Sequence, residues 1–360
     1  MDAEDQEKSL EAPRERAATI RDVAAAAGVS LSTASYALRG GRKLRPETVD
    51  RVKAAAARLE YRPNALMQSL LRGRSYTVGL ISREPLARFS LPLLTGVEDA
   101  LAASHVSVFL CFADRTDAAR ERQHVESLLA KQVDGIIVLD EQFVDDSPLA
   151  SRPLDIGNGR TPLLYAYHYV ADPDALCLVP DHTQGACLAT EHLLASGRRH
   201  LAHITGPQHF EAVPLRMKGM RQVMQAHGLT LPDEMVLIGD DWDQRWGRGA
   251  VQRLLDAKAN IDGIFCGNDT IAVGVVEALH AQGIRVPDDI AVVGFDNWEP
   301  FAEYNDPRLT SVDMQIHELG RRAGQAMLAM INGELASGIL RLPCRLVLRD
   351  SSNAADGNER

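Results

Sequence analysis

Thirteen lysines and arginines fall between residues 14 and 74 against five acids, a local charge of +8 in a chain whose total is −10. Cations at that density neutralise phosphates and release the counterions condensed on a nucleic-acid backbone. The flanks have the opposite sign, −4 over residues 1–13 and −14 over 75–360. Phosphate binding is therefore confined to a small basic module on a body that DNA repels. A basic interaction tail is the ordinary alternative for such a run. Other chemistry has little to stand on. Cys111, Cys177, Cys187, Cys266 and Cys344 show no C-x-x-C spacing, which fits reduced thiols and gives no metal framework. There is no G-x-G-x-x-G after a strand, no G-x-x-x-x-G-K-[ST] and no His/Glu pair at zinc spacing. Nor does any serine sit in a G-x-S-x-G elbow. No enzyme, no cofactor and no metal is expected.

The basic module has the punctuation of three short helices. Thr19 with Asp22 forms a capping box, and Ile20, Val23, Ala24 and Ala27 share one face. Gly28 stops that helix, because positive φ costs glycine least. Ser30 can cap a second helix with Ala34, Ala37 and Leu38 inward, and a third follows Pro46 with Val49, Val52, Ala56 and Leu59 on one side. This describes a helix-turn-helix domain, with any small helical bundle as the plainer reading. Asn64 can then cap a short helix over Ala65–Leu70, ahead of Arg72-Gly73-Arg74.

From Tyr76 the pattern alternates between strands and helices. Apolar runs at Thr77–Ile81, His105–Ala113, Asp134–Leu139, Leu163–Tyr167, Leu201–Thr205, Ile261–Cys266 and Ile290–Phe295 read as buried parallel strands. About 280 such residues should split into two lobes, with ligands at the carboxyl ends of the strands. The whole chain of 360 residues is 45% hydrophobic and 24% charged, as in soluble globular proteins. No apolar run reaches the ~18 residues of a membrane span, and acidic Met1–Pro13 is unlike a secretory signal. A cytoplasmic, multi-domain protein is expected.

The wording of the basic module is specific. Ala18-Thr19-Ile20-Arg21-Asp22-Val23-Ala24, Ala27-Gly28-Val29-Ser30-Leu31-Ser32-Thr33, Pro46-Glu47-Thr48 and Tyr61-Arg62-Pro63-Asn64-Ala65-Leu66 resemble, in order and spacing, the headpiece of the lactose-repressor family of bacterial transcription regulators. The resemblance implies that the second helix enters the major groove, with Leu31, Ser32 and Tyr36 on bases and Thr19, Thr33 and Ser35 on phosphates. It also implies a hinge helix starting at Asn64, whose Leu70 wedges between central base pairs. The linker-core alternative for Leu66 and Leu70 stays open. Tyr36 stands where the family most often has arginine, the side chain best suited to guanine. Ala34 and Arg39 replace the more usual valine and asparagine.

The body carries further matching segments. They include Asp181-His182-Thr183-Gln184-Gly185-Ala186, Arg216-Met217-Lys218-Gly219-Met220, Asp262-Gly263-Ile264-Phe265-Cys266-Gly267-Asn268-Asp269 and Val293-Gly294-Phe295-Asp296. The family resemblance implies an α/β, periplasmic-binding-protein-like core of doubly wound parallel sheets whose two lobes are joined by three crossovers. It places 76–174 with 312–333 in one lobe and 178–305 with the last strand in the other. It implies a polar effector, most often a sugar, held by Phe89, Arg216, Trp242, Asn268 and Asp296. Asp140 is added because it ends a strand. Each has a plainer alternative: Asn268 and Asp269 as helix caps, Arg216 in a salt bridge, Trp242 as a half-exposed ring. Asp313-Met314-Gln315 departs from the family's frequent Arg-Gln-Pro, and 141–161 from its usual pattern.

The expected organisation is a disordered tail at 1–17, a headpiece at 18–62, a hinge at 63–75, a core at 76–352 and a tail at 353–360. The expected function is an effector-controlled repressor, a homodimer or an assembly of dimers, acting on palindromic operator DNA. A sugar-binding transport protein would share the body, but the basic headpiece opposes it. A catalytic sugar-processing protein lacks any nucleophile or paired-carboxylate motif in context.

Overall fold

A computed structural model describes residues 18–38, 44–61, 74–83, 89–113, 117–140, 154–157, 160–170 and 172–353. The chain divides after Ser75 into two compact units. The expected hinge residues Asn64 and Leu70, the tail 1–17 and most of the 141–161 insert lie outside the described residues.

In the first unit, α1 (Ile20–Ala27) starts where the Thr19 backbone N–H and hydroxyl both donate to Asp22 Oδ2 at 2.7 Å. It ends at Gly28, which takes φ +63°. The hydroxyl of Ser30 then accepts from Thr33 N–H at 3.1 Å, and α2 (Leu31–Leu38) follows. Pro46 opens α3 (Pro46–Arg58), where its missing N–H removes no helical bond. The shared core is Val23, Ala24, Ala27, Ala34, Ala37, Val52, Ala55 and Ala56. Alanines at the contact let short helices approach closely, and Ile20, Val29, Leu38, Leu44, Val49, Leu59 and Tyr61 pack around them with part of their apolar surface.

The second unit begins with β1 (Thr77–Ser82), α4 (Ser90–Ala102), β2 (Ser107–Phe112), α5 (Ala118–Ala130), β3 (Gly135–Leu139), β4 (Leu163–Ala166) and β5 (Leu176–Pro180). It continues with α6 (His182–Ala195), β6 (Leu201–Thr205), α7 (Ala212–Ala226), β7 (Val236–Ile238), α8 (Gln244–Asp256), β8 (Gly263–Cys266) and α9 (Asp269–Ala281). Last come β9 (Ala291–Phe295), α10 (Glu299–Ala302), β10 (Thr310–Asp313), α11 (Ile316–Ile331), β11 (Gly338–Leu342) and β12 (Arg345–Val347). One sheet has the order β11-β5-β4-β3-β1-β2, the other β12-β10-β9-β8-β6-β7. These are the same winding written twice. All pairings are parallel except β10 with β12. Helices α4 and α11 pack backbone to backbone. A Cβ on Gly96 would lie 2.0 Å from His317 O, and one on Gly320 would lie 2.1 Å from Leu93 O.

The lobe boundary differs from the sequence expectation. Leu176–Pro180 and Gly338–Leu342 both belong to the first sheet, so the second lobe starts at α6 rather than at 178. The reason is physical: Leu176–Pro180 is buried along its length between β4 and β11, and the Asp181 cap turns the chain into α6. The chain crosses between lobes near Asp181, Met314 and Pro343, and these crossings are bonded together. Asp181 N–H donates to Leu342 O at 2.8 Å, Cys344 N–H to Gln184 Oε1 at 2.8 Å, and Gln315 Nε2 to Pro343 O at 2.9 Å. At the departing triplet, Gln315 takes φ +53° and its N–H donates to Asp313 Oδ1 at 2.7 Å. Arg345 binds the other Asp313 oxygen.

Candidate functional site

On α2, Ala34 and Ala37 are fully buried, which turns Leu31, Ser32 and Tyr36 outward, with Ser35 half-buried beside them. The Ser30 hydroxyl lies 2.9 Å from that of Ser32 and 2.8 Å from that of Thr33. These hydroxyls share protons at the start of the helix. Thr19, the remaining phosphate candidate, has its hydroxyl turned back onto Asp22.

In the second lobe the structure brings Arg216, Trp242, Asn268 and Asp296 together. Arg216 projects from α7 and is 3% exposed, a burial that an arginine tolerates only with partners. Its guanidinium donates to the carbonyl of Gly267 and, at 3.2 Å, to Nδ1 of His182. It lies 3.8 Å from Asp296 Oδ1, 3.6 Å above the Phe295 ring and 5.8 Å from Trp242. Asp296 follows β9 directly and holds φ +103°. Non-glycine residues rarely adopt that region, and such strain of about 1–3 kcal/mol gathers at functional sites. Half-buried Trp242 meets Phe210 edge to face at 5.6 Å. Its ring covers Gly206 so closely that a Cβ there would lie 2.4 Å away.

Asn268 is the N-cap of α9. Its Oδ1 accepts from Ile271 N–H at 2.7 Å and its Nδ2 donates to Trp242 O at 3.2 Å. Asp269 is wholly buried, accepting from Trp298 N–H at 2.7 Å and from the Ser311 hydroxyl at 2.5 Å. These are scaffold bonds. They fix the ends of β8, β9 and β10 against one another.

Phe89 and Asp140 form a second group in the first lobe, where they line one recess with Ser82, Ser90, Leu139 and Tyr167. The Phe89 and Tyr167 rings lie 5.2 Å apart. Buried Asp140 accepts from Arg83 Nη1 at 3.3 Å, and Glu121 accepts from Arg83 Nε and Nη2 at 2.6 and 3.1 Å. Burial alone would make the Arg83 guanidinium easier to deprotonate, but Glu121 and Asp140 outweigh it and hold its pKa above the ordinary value.

Two family profiles match separate stretches of the chain. The family profile "Bacterial regulatory proteins, lacI family" matches residues 19–64, and that of the periplasmic binding protein-like domain matches 190–352. The ribose operon repressor of Escherichia coli (strain K12) is 33% identical over 306 residues, 85% of this chain and 91% of that protein. The chain belongs to the LacI family. It is a DNA-binding transcriptional regulator. Within this LacI-family group, the repressor CytR of the same organism is 27% identical over 342 residues, 95% of this chain and 98% of its own. A Lac repressor dimer bound to operator and an anti-inducer superposes with a TM-score of 0.75 at 25% identity, covering 94% of this chain and 100% of that one. A complex of the regulator CelR with cellobiose gives 0.64 at 28%, covering 93% and 100%. Among the described residues, no helix is long and apolar enough to cross a membrane, and no three His, Cys, Asp or Glu side chains are grouped to hold a metal ion.

Four neighbours of these LacI-family candidates go unmarked in the sequence reading: Arg83, Tyr167, His182 and His203. The signal for the first three is their place one or two residues beyond a strand's carboxyl end. His182 is buried, and desolvation with nearby Arg216 and Arg341 holds it well below the ordinary imidazole value. It must be neutral to accept from Arg216. His203, on β6, donates from Nδ1 to Phe265 O at 2.9 Å, while its buried Nε2 meets no donor among the described residues. Burial pushes it down to about 4, with Arg216 and Arg221 acting in the same sense.

Proposed function

We propose that this LacI-family regulator is a cytoplasmic repressor, a homodimer or an assembly of dimers, whose affinity for palindromic operator DNA is set by a small polar effector between its two lobes. DNA reading belongs to 18–62, with Leu31, Ser32 and Tyr36 toward bases and Thr19, Thr33 and Ser35 toward phosphates. Asn64 and Leu70 belong to a hinge at 63–75. Effector binding and dimerisation belong to 76–352, and 1–17 and 353–360 are tails. No catalytic step is assigned.

The observation that carries the effector site is Arg216: a buried guanidinium at the strand ends, over the Phe295 ring, 5.8 Å from Trp242 and 3.8 Å from the strained Asp296. A guanidinium and a carboxylate side by side supply donors and acceptors for vicinal hydroxyls, and aromatic faces suit the apolar faces of a sugar ring. The ribose name of one relative and the cellobiose bound to one neighbour support a carbohydrate. Phe89, Asp140, Asn268 and Tyr167 complete the proposed lining. An effector acts only by preferring one lobe arrangement over another, because equal affinity shifts nothing.

The test is to select bound genomic fragments with the full-length protein, then screen sugars and sugar derivatives for a change in their retention. Operator affinity should fall steeply with salt because phosphate contacts release counterions. A chain lacking 1–74 should lose operator binding and keep effector binding. If that fragment still bound operator, the division of labour would be wrong.

A further inference from the structure

Helix α2 reads Leu-Ser-Thr-Ala-Ser-Tyr-Ala-Leu from Leu31 to Leu38, with no charged or carboxamide side chain. That composition removes every bidentate base contact available to a helix in the major groove. Guanine needs arginine or lysine, adenine asparagine or glutamine, and cytosine an acid. What the outward face offers instead is mostly apolar surface, with the Ser32 and Tyr36 hydroxyls as its polar groups. Leu31 is 45% exposed and Tyr36 is 37% exposed, while Ala34 and Ala37 opposite them are fully buried. The Ser32 and Thr33 hydroxyls are tied to Ser30, and a hydroxyl that both accepts and donates discriminates weakly between bases. Arg21, Arg45, Arg51, Lys53 and Arg58 lie on neighbouring segments. They supply attraction to phosphates, which positions a protein without reading sequence.

The group in the major groove that covers an exposed apolar side chain is the C5-methyl of thymine. Resting on the assignment of α2 as the base-contacting helix, we propose that this protein reads its half-sites through thymine methyl groups set under Leu31 and Tyr36. The operator class that follows has A·T pairs at those two positions, methyl toward the helix, and no guanine read by α2. Specificity there comes from burial of apolar surface in the groove.

The experiment selects duplexes with the full-length protein from a palindromic library randomised in each half-site. The best duplex is then resynthesised with deoxyuridine in place of each thymine in turn, which removes the methyl and keeps the base pair. At two positions per half-site, affinity should fall roughly fourfold per half-site, and about fifteenfold with both half-sites changed, as expected for one buried methyl each. Other thymines should be insensitive. Leu31→Ala should abolish the uracil effect at one position and Tyr36→Ala at the other; both side chains are exposed, so folding is preserved. Selection of guanine under the helix, or indifference to uracil throughout, overturns the proposal while leaving the DNA-binding assignment intact. Failure to select any sequence above bulk DNA would instead overturn that underlying assignment.

Discussion

After β4 in the first lobe the chain reaches Tyr167 at φ +66°, and after β9 in the second it reaches Asp296 at φ +103°. Each donates its N–H to the adjoining strand at 2.8 Å, Tyr167 to Leu178 O and Asp296 to Val312 O. Since both sheets share one strand order, the two residues hold the same place in the two lobes. What differs is the side chain. Tyr167 turns a ring toward Phe89, whereas Asp296 turns a carboxylate toward Arg216. The first lobe does carry a buried carboxylate, Asp140, but Arg83 and Glu121 build it into an ion network of that lobe's own. The second lobe brings its cation to the strand ends and stacks it on rings. One frame therefore supports an aromatic pair beside an ion network in one lobe and a buried cation packed against rings in the other.

The comparison breaks most visibly at Arg216. Arg216→Ala leaves Asp296 buried without its cation, and should lower stability by about 3–5 kcal/mol. The effector response should vanish while the folded fraction still binds operator. Denaturant melts and gel shifts with effector would read both, and a loss below ~1 kcal/mol would mean the second lobe does not depend on that charge.

Arg83→Met asks whether the first lobe compensates its own charge. It should cost about 3 kcal/mol, and adding Asp140→Asn should recover part of that, because the stranded carboxylate is then removed. A double variant no better than the single would sink the idea of a self-contained network.

Acid should separate the lobes further. His203 has a folded value of about 4, below the unfolded value, so its contribution is full above ~pH 6.5 and is lost as pH falls toward 4. The loss is up to about 3 kcal/mol, and His182, held low by burial, acts in the same direction. Hydrogen exchange over that window should show β6 and β8 opening before β1 and β3. Simultaneous opening would count against it.

The smallest effect belongs to Asn268. Loss of the α9 cap in Asn268→Ala should cost about 1 kcal/mol, and Asn268→Asp should restore it. Calorimetry would then decide its second role: effector affinity unchanged in both variants would leave Asn268 as a cap alone.

Local signals were readable where structure is local. Thr19 with Asp22, Gly28, Ser30 and Pro46 mark helix ends within a few residues of themselves, and the headpiece elements follow them. The short strands β5, β7 and β11 are not marked that way. A parallel strand pairs with a distant segment, and Leu176–Pro180 carries no turn chemistry that announces its partners. Missing β5 shifts the lobe boundary and hides why His182 sits beside Arg216. Asn268 is legible in the sequence both as a ligand contact and as a cap. The structure shows the cap, with both ends of its carboxamide already bonded.

The three crossings near Asp181, Met314 and Pro343 bear on the order in which the protein is made. The first lobe holds β1 to β5 but takes α11 and β11 from beyond residue 315, so the second lobe is threaded through it as an insertion. On a ribosome adding ~5–20 residues per second, Pro180 precedes Leu342 by roughly ten to thirty seconds. For that interval the first sheet has an open edge at β5 and an α4 helix without its glycine-packed mate. Meanwhile β6 to β10 emerge as a continuous stretch and need only β12 to finish. Each lobe therefore waits for the same short stretch at the end of the core: β11 supplies the first sheet's missing edge, and β12, the next strand in the chain, supplies the second's.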